Sequence, residues 1–544
     1  MAKAVKSRPA EEASELLIQL HAPGMSTLLR AGAGGLAASL RALLLREHPG
    51  ASWPSPVTLG PGRATVEPTT VRLSWGGRPP EETLKVLFRE SFRLRASPAL
   101  IELPGVIPPR TELSAELAAA LQDGLKLTFL QHGKTTTSKG PPRVHSFSLD
   151  EREVALEVQG YSKFVHQGAW EKVARALHKG SIALAGWAYP GAAERHIGLR
   201  VTKMEYTAAE ALCACFALVG CLSLKVPQGR AGALVALAPA NLVRFAEIRS
   251  TLTPGRLEEV SVAGGSDALL AVQLALRLGG HLREEPVLAA AEAFTLRVLP
   301  WATQQKSRGG VVHTGLFSEA VLDRYDTVAR ELKNRLRVLE PKAPKKGKAP
   351  ERARFFVASS ALRTFITENL AAARPWYADF ASATDSERRF IHQYRTEGNL
   401  GALFFEERKG LIAMLQHLED AERVLVESVH VALRQRFAAI AKETEGQPGA
   451  RKNRMNGERD RWRLAFAGAK TADQVRAALA DLWSRAGSNK ALQAHWREVL
   501  PLLRAEHWRT ARDLALVALA SYARQESEPG DESESEEVPP PDIE

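Results

Sequence analysis

Three glycines fall within four positions, Gly32, Gly34 and Gly35, inside the leucine- and alanine-rich stretch TLLRAGAGGLAASLRALL (Thr27–Leu44). A glycine inside a helix costs about 1 kcal/mol against alanine. Three so close together therefore demand a compensating contact, and the simplest is another backbone approaching where side chains are missing. Gly32, Gly34 and Ala37 also spell G-x-G-x-x-A, a form of the dinucleotide fingerprint. That fingerprint needs a strand running directly into its glycines. Here about ten residues, including the turn Pro23-Gly24, separate a strand expected over Glu15–His21 from Gly32. No G-K-[ST] phosphate loop is present. The glycines are read as a packing device, and no cofactor is expected.

The remaining pattern predicts an α+β chain. Ser26 or Thr27 caps the glycine-bearing helix. Val66–Trp75 reads as a strand region, and Pro80 with Glu81 and Glu82 opens a short helix. Glu153–Val158 alternates as a strand, Trp170–Leu177 as a short helix, Leu199–Lys203 as a strand, and Ala208–Leu222 as a helix or buried run. Ala233–Ala238 is a short apolar run, while Ser266–Arg277 and Pro286–Phe294 carry helical spacing. Residues 1–150 and 151–339 thus form mixed α/β parts. The Lys/Pro-rich segment EPKAPKKGKAPER (340–352) reads as a linker. Beyond it, Phe355–Leu370, Leu400–His417, Glu422–Lys442, Asp473–Arg485, Ala491–Leu503 and His507–Arg524 predict a helical bundle over 353–525, interrupted by a basic loop at Gln447–Arg463.

Charge and reactive residues narrow the function. The net charge is +11, yet residues 525–544 hold nine Asp/Glu and no Lys or Arg, so the body before them carries +20. Residues 526–544 are expected to be a disordered acidic tail on a polyanion-binding body. The only cysteines, Cys213, Cys215 and Cys221, are too few and too oddly spaced for a disulfide framework or a zinc site, and they fit packing in a reducing cytoplasm. His281, His313, Asp323 and Asp326 lack metal spacing, and no nucleophile-elbow motif occurs. Neither a metal nor catalysis is expected. The longest apolar run, Ala208–Leu224, is too short and interrupted for a membrane span.

Four phrases in order carry a resemblance: APGMSTLLRAGAGGLAASL (22–40), GWAYPGAAERH (186–196), SVAGGSDALL (261–270) and LPWATQQKSR (299–308). Together they resemble the large subunit of type I CRISPR effector (Cascade) complexes, in the Myxan-subtype branch that includes a fruiting body developmental protein. The resemblance implies a non-catalytic subunit acting in antiviral defence beside backbone and small repeat-fold subunits, with guide RNA and target DNA as partners. Such a subunit inspects a motif beside the target and holds the displaced strand, and a separate helicase-nuclease cuts. It also implies the alternative of a regulator of fruiting body development and sporulation acting through protein partners.

Guide-directed recognition leaves the protein to grip backbone and read a short motif. Three basic segments suit that task. In Gln131–Arg143, Lys134, Lys139 and Arg143 supply charge beside Thr and Ser hydroxyls. In Thr303–Gly310, read as a loop, Gln304 and Gln305 suit base edges, and Lys306 and Arg308 suit phosphate. In the Gln447–Arg463 loop, Arg451, Lys452, Arg454, Arg459, Arg461 and Arg463 surround Trp462, a combination suited to single strands. The turn at Pro190-Gly191 is read as positioning Arg195 and His196, and the tryptophans of His495-Trp496 and His507-Trp508 as buried.

Overall fold

Ser26 starts the first helix, α1 (Thr27–Glu47): its hydroxyl accepts from the Leu29 backbone N–H at 3.3 Å. The computed structural model describes residues 14–522 apart from 110, 132, 150, 185–204, 228–230, 282–285, 302–303, 340–352, 359 and 386–399. The strand expected over Leu199–Lys203, the turn with Arg195 and His196, the 340–352 linker and the acidic tail lie outside the described residues. The chain divides into two units, 1–374 and 375–544.

In the first unit, β1 (Glu15–Gln19), β2 (Val57–Leu59), β3 (Gly62–Glu67) and β4 (Thr70–Ser74) form an antiparallel sheet in the order β1-β4-β3-β2. Their residues alternate between buried and outward positions, the period of a sheet covered on one face. α2 (Pro80–Ser91) starts at the expected proline with Glu81 and Glu82 in its first turn. Short strands β5 (Arg93–Leu94) and β6 (Ile101–Glu102) pair ahead of α3 (Ala115–Leu127). Next, β7 (Thr136–Ser138) pairs with β10 (Tyr161–Phe164), and β8 (Arg143–Leu149) with β9 (Arg152–Val158). α4 (Trp170–Lys179), the pair β11 (Ile182–Ala183) and β12 (Glu205–Tyr206), and α5 (Ala208–Gly220) follow.

The glycines of α1 face α5. A Cβ on Gly32 would stand 1.9 Å from the Cys213 carbonyl oxygen, and one on Gly35 2.2 Å from that of Phe216. From the other side, a Cβ on Gly220 would stand 1.7 Å from the Ala31 carbonyl oxygen. Gly34 instead makes room for the Phe245 ring of α6 (Leu242–Ile248). The packing expectation holds, with backbone against backbone. α1 is long and apolar enough to cross a membrane by length and composition, but most of it is buried in this core. Cys213, Cys215 and Cys221 are fully buried in the same place, and burial pushes the Cys215 thiol up to about 12. The end of α5 is held by Arg249, only 3% exposed, whose Nε donates to the Val219 carbonyl at 2.6 Å and whose Nη2 donates to the Cys221 carbonyl at 2.8 Å. Burial lowers its pKa to about 10, so at neutral pH it remains a cation at a helix C-terminus.

A second sheet runs in the order β13 (Leu222–Val226), β14 (Ala231–Pro239), β15 (Leu288–Trp301) and β16 (Gln304–Thr314), all antiparallel. Every residue of β14 is buried, because both faces of the sheet are covered. Leu234, Ala236, Phe294 and Leu296 join the core of α1 and α5. Ala233, Val235, Leu237 and Ala293 pack on the other side with α7 (Gly265–Leu278). This overturns the helix expected over Pro286–Phe294. The alanines there suit a helix by propensity, but β15 needs small side chains under helices on both faces, and pairing decides. The loop expected at Thr303–Gly310 is likewise a strand from Gln304 onward.

The division of the chain differs from the expected one. The β8–β9 hairpin spans residue 150, and one core joins β1–β4, α1, α2, α4 and α5. At the other end, α8 (Glu319–Glu331) leads to β17 (Arg335–Leu339), which pairs with β18 (Arg354–Ala358). The first part of the helix expected over Phe355–Leu370 is therefore strand, and only α9 (Ala361–Ala371) is helical. α9 belongs to the first unit through a buried network. Arg363 Nε donates to both carboxylate oxygens of Asp267 at 2.9 Å, and its Nη2 donates to the Tyr325 hydroxyl at 3.0 Å. Tyr325 in turn donates to Asp267 at 2.7 Å. The facing carboxylate holds the arginine's pKa above its usual value despite burial.

His166 is fully buried among Phe92 and Phe164, and burial lowers its pKa to about 3. The unfolded chain then takes up a proton near pH 6.5 that the folded chain refuses, so stability falls as pH drops from 6.5 toward 3. Between pH 7.5 and 5 this group alone is expected to remove about 2 kcal/mol. Urea unfolding at the two pH values checks this. His166→Phe should flatten the difference, and an equal loss in that variant would refute the assignment.

The second unit is helical as expected: α10 (Phe380–Asp385), α11 (Leu400–Met414), α12 (Asp420–Glu443), α13 (Pro448–Ala467), α14 (Ala472–Ala486), α15 (Lys490–Val499) and α16 (Trp508–Ser521). α12 buries Leu425, Val429 and Leu433, spaced four apart on one stripe, and α16 buries Leu514, Ala515 and Ala518. The two are also tied by a polar contact between His430 Nε2 and the Ala518 carbonyl oxygen at 3.0 Å. The basic loop expected at Gln447–Arg463 is helix α13. Its glycines and asparagines suggested a loop, but Pro448 at the first turn and the Arg, Lys and Glu content support a helix, with Gly457 facing open space.

Candidate nucleic-acid interface

The three predicted segments sit on different supports. Lys134 lies in a 3₁₀ turn (Gly133–Thr135), and Lys139 and Arg143 flank the exposed turn into β8; all three are exposed. The Lys139 backbone N–H donates to the Gly160 carbonyl at 2.9 Å, and Arg143 lies opposite Val158. Both are thus hung on the same stretch, 158–160. Lys163, exposed on β10 opposite Thr137, adds a cation there that the sequence reading missed. Lys139, Arg143 and Lys163 form no ion pair with another described residue.

Gln304, Gln305, Lys306 and Arg308 lie on β16, the edge strand of the second sheet. They stand opposite Trp301, Pro300, Leu299 and Arg297 of β15. The segment is therefore paired along its length with the end of β15.

On α13 much of the positive charge is already engaged. Arg454 pairs with Glu443 at 2.6 Å, Arg461 with Asp481 at 3.1 Å and Arg463 with Asp460 at 3.3 Å. Arg459 lies 5.7 Å from the centre of the Phe437 ring, and burial lowers its pKa. Arg451 and exposed Lys452 form no ion pair with a described residue. Trp462 is 1% exposed, with its indole N–H donating to Glu458 at 3.1 Å. It fills the core and presents no face for a base, which corrects the stacking role expected for it.

Trp496 corrects the opposite expectation, for it is 47% exposed. Helical geometry breaks at His495 (φ −126°, ψ 20°), and of α15 only Val499 is buried. Arg497 lies 5.5 Å from the Trp496 ring. Trp508, half-buried, has Arg509 at 4.9 Å and Arg512 at 5.3 Å from its ring. The repeated H-W-R at 495–497 and 507–509 sets an arginine directly after each of these indoles. An exposed indole beside guanidinium groups can stack an unpaired base and hold its phosphate.

Two family models match the chain, one within each unit. The family model of the DevT N-terminal domain matches residues 17–215, and that of the DevT C-terminal domain matches residues 415–544. The CRISPR-associated protein Cas8a1/Csx13 of Myxococcus xanthus (strain DK1622) is 60% identical over 541 residues, covering 99% of this chain and 94% of that protein. An identity of this size over nearly the whole length, with both domain models in order, leads to one assignment: the chain belongs to the DevT-like group of Cas8 proteins.

Proposed function

We propose that this chain is the large subunit of a type I CRISPR surveillance complex, holding target DNA beside guide RNA and the backbone subunits while a separate helicase-nuclease cuts. The observation that carries the reading is the 60% identity, over nearly the whole chain, to a protein named CRISPR-associated Cas8a1/Csx13. The +20 body and the exposed cations Lys139, Arg143, Lys163 and Lys452 support the phosphate-gripping part of it. Trp496 with Arg497 supports contact with the displaced single strand.

The test is reconstitution with partner subunits and guide RNA, followed by titration of target duplex at several salt concentrations. Affinity should fall linearly on a log–log plot, with a slope of about −0.9 per phosphate neutralised. Trp496→Ala should weaken retention of the opened strand by about 1–3 kcal/mol, as loss of one base stack does. Salt-independent binding, or no binding by the full assembly, would refute the reading.

A further inference from the structure

A cleft of about 690 Å³ lies beside the second half of α1, within the first unit. Three arginines line it, Arg41 and Arg46 from α1 and Arg93 from β5, with Glu102 of β6 on the same wall. Their availability differs. Arg46 is tied to Glu90 at 2.8 Å. Arg41 has its Nε shut away from solvent with no hydrogen-bond partner and feels the charge of Glu247 without an ion pair to a described residue, and Arg93 pairs with no described carboxylate. Two guanidinium groups therefore remain to accept an anion, which their forked donors match well. Much of the rest of the lining is apolar and stiff, including Pro104 and Pro108. The volume falls in the range of small-ligand sites.

We propose that this cleft binds a nucleoside phosphate. Arg41 and Arg93 take the phosphate, the proline wall takes the flat base, and the Glu102 carboxylate accepts from a sugar hydroxyl or a base N–H. A free nucleotide and a single unit at the end of a strand share this chemistry. The site shares no residue with the basic segments above, and it stands whether or not the large-subunit reading holds.

The experiment is calorimetric titration of the full chain with adenosine 5′-monophosphate, adenosine, inorganic phosphate and a short 5′-phosphorylated single-stranded RNA. The nucleotide should bind saturably, and at least tenfold more tightly than adenosine or phosphate alone. Arg93→Gln should weaken it at least tenfold with unchanged thermal melting, and Arg41→Gln should do the same. Should Arg41→Gln fail to fold, Arg93→Gln on its half-exposed strand decides. Competition by the RNA assigns the site to a strand end, and its absence assigns it to the free nucleotide; both support the proposal. No saturable binding of nucleotide or RNA, phosphate binding as tightly as the nucleotide, or binding untouched by Arg93→Gln would overturn it.

Discussion

Gly220→Ala is expected to destabilise the first unit by about 3 kcal/mol or more, at the upper end of what overpacking costs. The added methyl would stand 1.7 Å from the Ala31 carbonyl oxygen, and backbone, unlike a side-chain tip, has no rotamer to yield. Gly35→Ala meets the Phe216 carbonyl oxygen at 2.2 Å and should cost a similar amount. Gly50→Ala is the control, since a Cβ there meets nothing within 4 Å. Denaturant midpoints of the three variants check the point. Should Gly220→Ala unfold with the control, α1 and α5 are not locked backbone to backbone. The effect reaches far because α1 and α5 share their core with β1–β4 and with one face of the second sheet.

Asp267→Ala is expected to cost about 3–5 kcal/mol, the loss typical of leaving a buried charge without its partner. Arg363 would keep its cation in a place where its side chain is 9% exposed, and the Tyr325 hydroxyl would lose the closer of its two acceptors, keeping only the Asp267 backbone carbonyl at 3.3 Å. The double replacement Asp267→Leu with Arg363→Met removes both charges and should recover most of that loss. Equilibrium unfolding of Asp267→Leu, Arg363→Met and the double variant closes a mutant cycle. A double variant no better than Asp267→Ala would show that the network contributes through shape rather than charge. Because Arg363 lies on α9, the single variant should also expose the 361–371 segment to proteolysis before the rest of the unit opens.

The candidate interface was only partly legible in the sequence. The cations of 131–143 stood out because a run rich in Gly, Pro, Lys and Thr can hardly be core, and their exposure is what the structure bears out, at Lys139 and Arg143. The choice of tryptophan was reversed. Trp462 sits in a run of arginines that looks solvated, yet it falls on the buried stripe of α13 with Phe466. Trp496 falls at helical spacing with apolar Leu492, Val499 and Leu500, which looks like core, yet the break at His495 and the sparse burial of α15 leave it outside. Local composition cannot distinguish these cases, because the neighbours that cover a helix face come from other helices. The arginine cleft was invisible for a similar reason: its walls come from α1, from residues 93–111 and from Ala246 and Ser250.

The sequence alone determined what local physics controls. It placed α1 after Ser26, α2 at Pro80, the run of helices beyond residue 400 and the need for a backbone neighbour at Gly32–Gly35. Caps, periodicity and the cost of glycine act over a few residues. Tertiary structure alone decided which backbone that neighbour was, that alanine-rich 288–294 became strand, and that 354–371 joined the first unit. Those outcomes depend on pairing β15 with β14 and Arg363 with Asp267, partners far apart in the chain. Hydrogen-bond pairing, and the cost of leaving a buried charge without its partner, outweigh a propensity difference of a few tenths of a kcal/mol per residue.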